Sequence, residues 1–242
     1  MSVFWTAAWE ALTAVLLPTP CVTCGALVRS SDPPLCAACW RRAAAHIDAP
    51  VCGCGSPLAT GALKRDRCGR CRRGLSPFTT GFSLGPFEGP LRDAIVAFKY
   101  AGRHRTARGL AARLARHERC ASVLANADFI VPVPLHKTRE RRRGFNQSRL
   151  FAEALGRAAV VPVAALLTRT RDTPSQTDLD ARQRRVNVRG AFACADTTRT
   201  LGRTIVLVDD VVTTGATLRE CARILVAAGA KEIRVVTAAR AE

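Results

Sequence analysis

From residue 76 onward the chain alternates short apolar runs with stretches whose apolar residues recur every three or four positions. The runs "TTGFSLGPF", "ADFIVPVP", "VVPVAALL", "TIVLVDD" and "EIRVVTAA" have the length and β-branched content of strands. Between them, Leu91, Ala94, Ile95 and Phe98 share one helix face. Leu150, Phe151, Ala154 and Leu155 share a second, and Leu218, Ala222, Leu225 and Val226 a third. The unbroken apolar run at 205–208 suits a strand buried on both faces, as in a parallel sheet. Alternation of this kind predicts an α/β domain, a parallel sheet with helices on both faces, whose ligands bind at the carboxyl ends of the strands.

The first 75 residues follow a different pattern. Trp5, Trp9, Leu12 and Leu16 recur at helical spacing, which predicts a helix over residues 1–17. It packs on its own domain or, as the alternative, docks on a partner or a membrane surface. Residues 18–75 are rich in cysteine, proline and glycine and have little apolar periodicity, so a ligand must replace the missing core. Three units result: an apolar helix at 1–17, a cysteine module at 18–75 and an α/β domain at 76–242.

Eight of the eleven cysteines form the pairs Cys21/Cys24, Cys36/Cys39, Cys52/Cys54 and Cys68/Cys71. A disulfide scaffold needs export. The opening residues have no basic segment, carry Glu10 inside their apolar stretch, and are too short to span a bilayer. A cytoplasmic protein, peripheral at a membrane if the helix docks there, is expected, with metal-ligating thiolates. "CVTCG" and "CAACW" give Cys-x-x-Cys twice, a four-sulfur shell of the structural zinc type, with Gly25 supplying the permissive backbone of the knuckle. In the second set, "CGCG" is one residue short of that spacing although "CGRC" is regular. That set is left between a second Zn²⁺ and loose thiols, and interleaving of the four turns stays open. A closed shell leaves no position for substrate, which argues against a zinc hydrolase, and the tidy pairs favour zinc over an iron–sulfur cluster. Cys120, Cys194 and Cys221 read as small apolar residues.

A formal charge of +18 attracts polyanions such as nucleic acid, nucleotides or anionic lipid without distinguishing them. An arginine-rich codon bias is the alternative origin. The aromatic fraction of 5% argues against an extended base-stacking platform, and the absence of G-x-x-x-x-G-K-[ST] against a P-loop ATPase.

The chemistry concentrates in "TIVLVDDVVTTGATLRE". Asp209 and Asp210 end an apolar strand, where α/β ligands bind. Thr213, Thr214, Gly215, Ala216 and Thr217 lead into a helix, whose N-terminus and hydroxyls form a cradle for a phosphate dianion. Gly215 permits close approach, and Thr217 with Glu220 fits a capping box. Carboxylates accept hydrogen bonds from vicinal hydroxyls, so a ribose phosphate fits both halves of the motif.

This stretch resembles the phosphoribosyl-pyrophosphate motif of type I phosphoribosyltransferases. With "FKYAGRH", "VPVPLHKTRERRRGFNQ" and "QTDLDARQRRVNVRGAF" behind paired cysteines, nearly the whole chain resembles the ComF family of competence-associated proteins. The resemblance implies a phosphoribosyltransferase-like domain behind a zinc module, with a link to DNA uptake and to competence-machinery partners. It implies that Asp209 and Asp210 hold the ribose hydroxyls, that 213–217 hold the 5′-phosphate, and that Mg²⁺ accompanies phosphoribosyl pyrophosphate. Lys99, His136, Arg139, Arg143 and Asn146 are the expected pyrophosphate contacts, with Arg141 and Arg142 left on the surface. Gln176, Thr177, Arg185 and Asn187 lie in a polar stretch expected to be a hood over the substrate or a plain loop. His136 is the nearest candidate base, and no segment reads as recognising an acceptor. A non-catalytic protein of the same fold, binding a nucleotide or single-stranded DNA, is the rival expectation.

Overall fold

The structure is a computed structural model describing residues 19–28, 35–44, 50–59, 61–62, 66–101, 104–173 and 181–241. The helix expected at 1–17 lies outside them. Four strands form the central sheet: β3 (Thr80–Ser83), β4 (Phe129–Pro132), β7 (Thr204–Val212) and β8 (Glu232–Arg240), in the order β3-β8-β7-β4 and parallel throughout. Two antiparallel ribbons stand apart, β1 (Thr19–Pro20) with β2 (Leu27–Val28) and β5 (Leu167–Arg169) with β6 (Phe192–Cys194).

Helices cover both faces. On one, Gly89–Ala101, His104–Ala115 and Gln147–Ala159 bury Leu91, Ile95, Phe98, Leu110, Leu114, Phe151 and Leu155 against Val206, Val208 and Val236. On the other, Ala216–Ala227 and the β5–β6 ribbon pack on Ile205, Leu207 and Val235. Residues 205–208 are buried on both sides, as their unbroken apolar run requires.

The pattern misleads in three places. Residues 160–167 are not a fifth full strand: a single parallel bridge joins Val163 to Ile130, and regular pairing starts only at Leu167, in the ribbon. Val160 caps the preceding helix in the left-handed conformation, φ 56°, and Pro162 has no N–H to donate, so only its carbonyl and the Ala164 N–H reach Ile130. Val226 is 51% exposed, and Cys221 takes its place beside Leu218, Ala222 and Leu225. Helix Ala216–Ala227 has no capping box. Gly215, at φ 69°, is the cap, which places Thr217 inside the first turn. The Glu220 carboxylate accepts from the Gly190 N–H and pairs with Arg223, whose hydrogen bond holds Glu220 below its usual pKa.

The cysteine module sits directly on β3. The Gly81 N–H donates to the Gly53 carbonyl at 2.7 Å, and a Cβ on Gly81 would fall 2.5 Å from the Cys54 carbonyl oxygen. Only glycine allows two backbones to approach so closely. Helix Ala37–Ala44 packs against Gly89–Ala101, and Arg113 lies 5.9 Å from the Trp40 ring centroid. Cys120 and Cys221 are core residues, and Cys194 is half-buried.

Candidate functional site

The cysteines gather in chain order, without interleaving. The sulfurs of Cys21, Cys24, Cys36 and Cys39 all lie within 4.8 Å of one another, and so do those of Cys52, Cys54, Cys68 and Cys71. Sγ–Sγ distances of 3.7 Å, Cys24 to Cys36 and Cys54 to Cys68, match the edge of a tetrahedron with Zn–S bonds of about 2.3 Å. Both sets therefore fit Zn²⁺. The short Cys-x-Cys turn closes because Gly55, at φ 80°, returns its N–H to the Cys52 carbonyl while the Cys52 N–H takes Ser56. Burial pushes the Cys21 thiol up, but backbone N–H bonds from Cys36, Cys24 and Thr23 outweigh it and bring it down to about 6. Cys39, desolvated and beside three other sulfurs, is pushed up to about 12. Four thiols sharing negative charge in this way are stabilised by one divalent ion.

At the carboxyl end of β7 a cleft of about 1110 Å³ opens. Asp209 and Asp210, adjacent near the end of the strand, both line it, and each carboxylate has its own partner. The Asp210 Oδ2 lies 3.1 Å from Lys99 Nζ. It is buried and accepts no hydrogen bond from the described residues, so the lysine gives it charge without directed bonding. The Asp209 Oδ1 accepts from the Ser148 hydroxyl at 2.7 Å and from the Asp210 N–H at 3.0 Å. Burial, then the neighbouring Asp210 charge, raises Asp209 to about 7 against those bonds.

Thr213, Gly215, Ala216 and Thr217 line the same cleft, where helix Ala216–Ala227 starts without a side-chain cap. Such a terminus presents N–H donors and a positive dipole end to an anion. Thr214 is not in the lining. Its hydroxyl accepts from the Ala216 N–H at 3.4 Å and braces the turn.

The lining also includes Arg139, Arg142 and Arg143, from helix Lys137–Arg143, together with Arg169 of β5. Arg139 pairs with Asp172 at 3.3 Å, and Arg143 donates to Gln147 at 2.7 Å. Arg142, expected on the outer surface, lines the cleft, and Arg141 does not. Lys99 stands on the acidic pair and not among the arginines. Neither His136 nor Asn146 is in the lining. His136 caps helix Lys137–Arg143 by accepting from the Thr138 N–H, and Asn146 caps Gln147–Ala159 by accepting from Ser148 and Arg149. Of the expected hood, Gln176 and Thr177 lie outside the described residues, while Arg185 and Asn187 fall on helix Ala181–Val188. Ser148, Arg169, Asp172 and Thr173 escaped the sequence argument. For Arg169 a signal existed: Leu167 and Arg169 are buried and Thr168 exposed, so strand alternation turns the arginine inward.

Comparison with known proteins agrees with both halves. Residues 12–79 match the double zinc ribbon domain, and residues 146–242 the phosphoribosyl transferase domain. Competence protein F of Haemophilus influenzae is 33% identical over 227 residues, 91% of this chain and 96% of that protein. DNA utilization protein YhgH of Escherichia coli K12 is 36% identical over 83% of this chain and 88% of that protein. Competence protein ComFC of Bacillus subtilis is 29% identical over 82% and 80%. Among the described residues no helix is long and apolar enough to cross a membrane. With a double zinc ribbon leading into a phosphoribosyl transferase domain, and relatives matched over most of their length, the chain belongs to the ComF family of competence and DNA-utilization proteins.

Proposed function

We propose that the cleft binds phosphoribosyl pyrophosphate with Mg²⁺ and transfers its phosphoribosyl group to an acceptor, in the service of DNA uptake and use. One observation carries this: the acidic pair, a helix N-terminus whose cap residue Gly215 has no side chain, and Arg139, Arg142, Arg143 and Arg169 line a single cleft. The helix terminus takes the 5′-phosphate through backbone N–H groups and the Thr213 and Thr217 hydroxyls. Asp209 and Asp210 accept from the ribose hydroxyls. Arg139 and Arg143 meet the pyrophosphate with fork-shaped donors.

The acidic pair suits Mg²⁺, since it offers only oxygens and Asp210 Oδ2 already has an ammonium against it. When bound, the ion neutralises charge on the leaving group. The chain's own share is to hold the sugar between its two anionic ends and to set fixed charges around the anomeric carbon as the bond breaks. Asp209, raised toward neutrality, is the carboxylate that a cation or hydroxyl donors would draw into its ionised form. The domain division at residues 18–75 and 76–242 belongs to the same proposal, with zinc confined to a structural role.

Release of pyrophosphate from phosphoribosyl pyrophosphate and Mg²⁺, with ammonium and a panel of nucleobases as acceptors, tests transfer. Release by the wild type that Asp210→Asn abolishes is expected. Tight binding with no release for any acceptor would favour the second reading, a non-catalytic nucleotide or single-stranded-DNA binder. That reading draws on the +18 charge and on the exposed Lys137, Arg141 and Arg142 of helix Lys137–Arg143, which continue the basic lining outward.

A further inference from the structure

Arg169 is a buried cation. It is 9% exposed, yet among the described residues it forms no ion pair. Its Nη2 donates to the Thr173 hydroxyl, its guanidinium lies 5.4 Å from the Phe192 ring centroid, and its Nε has no hydrogen-bond partner among the described residues. Both carboxylates that act on it electrostatically are engaged elsewhere, Asp172 with Arg139 and Asp209 with Ser148.

A second positive charge is fastened to the same residue. The Arg139 Nη2 donates to the Thr173 carbonyl, so Thr173, itself buried, anchors two guanidiniums. Burial, then the like charge of Arg139, holds Arg169 below its usual pKa. Buried charges in folded proteins are paired or ligated, and an aromatic face offsets only part of the lost hydration. The cleft they line carries five cationic side chains, Lys99, Arg139, Arg142, Arg143 and Arg169, against three carboxylates, Asp172, Asp209 and Asp210. An excess of two positive charges calls for a ligand with more than one negative charge, which a single carboxylate lacks and a phosphoryl group has.

We propose that Arg169 is an anion-binding residue of this cleft, its counter-charge supplied by a phosphoryl oxyanion of the bound ligand, with Arg139 beside it at one subsite fixed by Thr173. The identity of the whole ligand rests on the sugar-phosphate reading, but the subsite itself requires only the oxyanion.

Inorganic pyrophosphate, titrated without Mg²⁺ into the full chain, is the probe, with calorimetry and thermal melting as readouts. The wild type should bind it and melt at a higher temperature with it. Arg169→Met should bind roughly ten- to a hundredfold more weakly, the loss of a charge-assisted hydrogen bond. Without ligand it should melt at or above the wild type, since an uncompensated cation has gone. A merely structural arginine would do the reverse, so a variant that melts lower and binds pyrophosphate equally well overturns the proposal. So does a wild type that ignores pyrophosphate. If Arg169→Met does not fold, Arg169→Lys decides, because it keeps the charge without the fork: weakened binding supports the subsite and unchanged binding rejects it. Pyrophosphate binding that depends on Arg169, in a protein that ignores phosphoribosyl pyrophosphate, would leave this subsite standing and remove the sugar-phosphate reading.

Discussion

Asp209→Asn should make the protein more stable above neutral pH while damaging its site. The Asp209 carboxyl is raised from 3.8 to about 7, chiefly by burial and then by the Asp210 charge. A folded-state pKa above the unfolded value means that the native state holds this proton longer. Stability therefore falls as pH rises from about 4 to about 7 and is level beyond. The rise from 3.8 to about 7, at ~1.4 kcal/mol per tenfold change in proton affinity, sets a ceiling of about 4 kcal/mol at pH 8. Asp209 is partly exposed, and screening brings the expected difference to roughly 2 kcal/mol. Asparagine is isosteric, and its Oδ1 still accepts from the Ser148 hydroxyl, so little else changes. Urea denaturation at constant zinc, from pH 5 to pH 8, measures the gap. It should be largest at pH 8, shrink toward pH 5 and leave the m-value unchanged. An Asp209→Asn variant less stable than wild type at pH 8, or a gap that ignores pH, would refute the reasoning.

Other consequences are simpler to check. Metal analysis should find two zinc ions per wild-type chain and one in either Cys24→Ser or Cys54→Ser, each variant being less stable than wild type. Gly81→Ala should cost about 1–3 kcal/mol in chemical denaturation, because its Cβ meets a backbone carbonyl that cannot move aside. Gly215→Ala should cost about 1–2 kcal/mol at φ 69°, since its Cβ meets the far end of a long side chain, Arg219 Nη1 at 2.9 Å, and not backbone. It should also weaken inorganic phosphate binding, read by calorimetry.

What the sequence reveals and what it conceals have physical reasons. The β7 strand and its helix were legible because an apolar run, two acids and a glycine turn leave few alternatives in so short a stretch. The cysteine sets were legible by spacing alone, although Cys52–Cys54 needed a second close glycine contact to complete its turn. Residues 160–167 looked like a strand because composition does not reveal that Pro162 and the left-handed Val160 interrupt pairing. Helix His104–Ala115 was hidden by its many arginines, although Leu110, Ala111 and Leu114 are fully buried. In the site, the basic run at 137–143 carries no sign of which arginines face inward, since that depends on how the helix rests on Thr173 and Asp172. Asn146 and His136 looked like ligand contacts because polar residues beside a phosphate loop are also good helix caps.

The central claim, a sugar-phosphate site built on the acidic pair, is tested most directly by calorimetric titration of phosphoribosyl pyrophosphate with Mg²⁺ into wild type and Asp210→Asn. Saturable binding by the wild type, weakened at least tenfold in Asp210→Asn with the fold intact, is the expected result. Absence of binding to wild type, or equal binding to both, would contradict it.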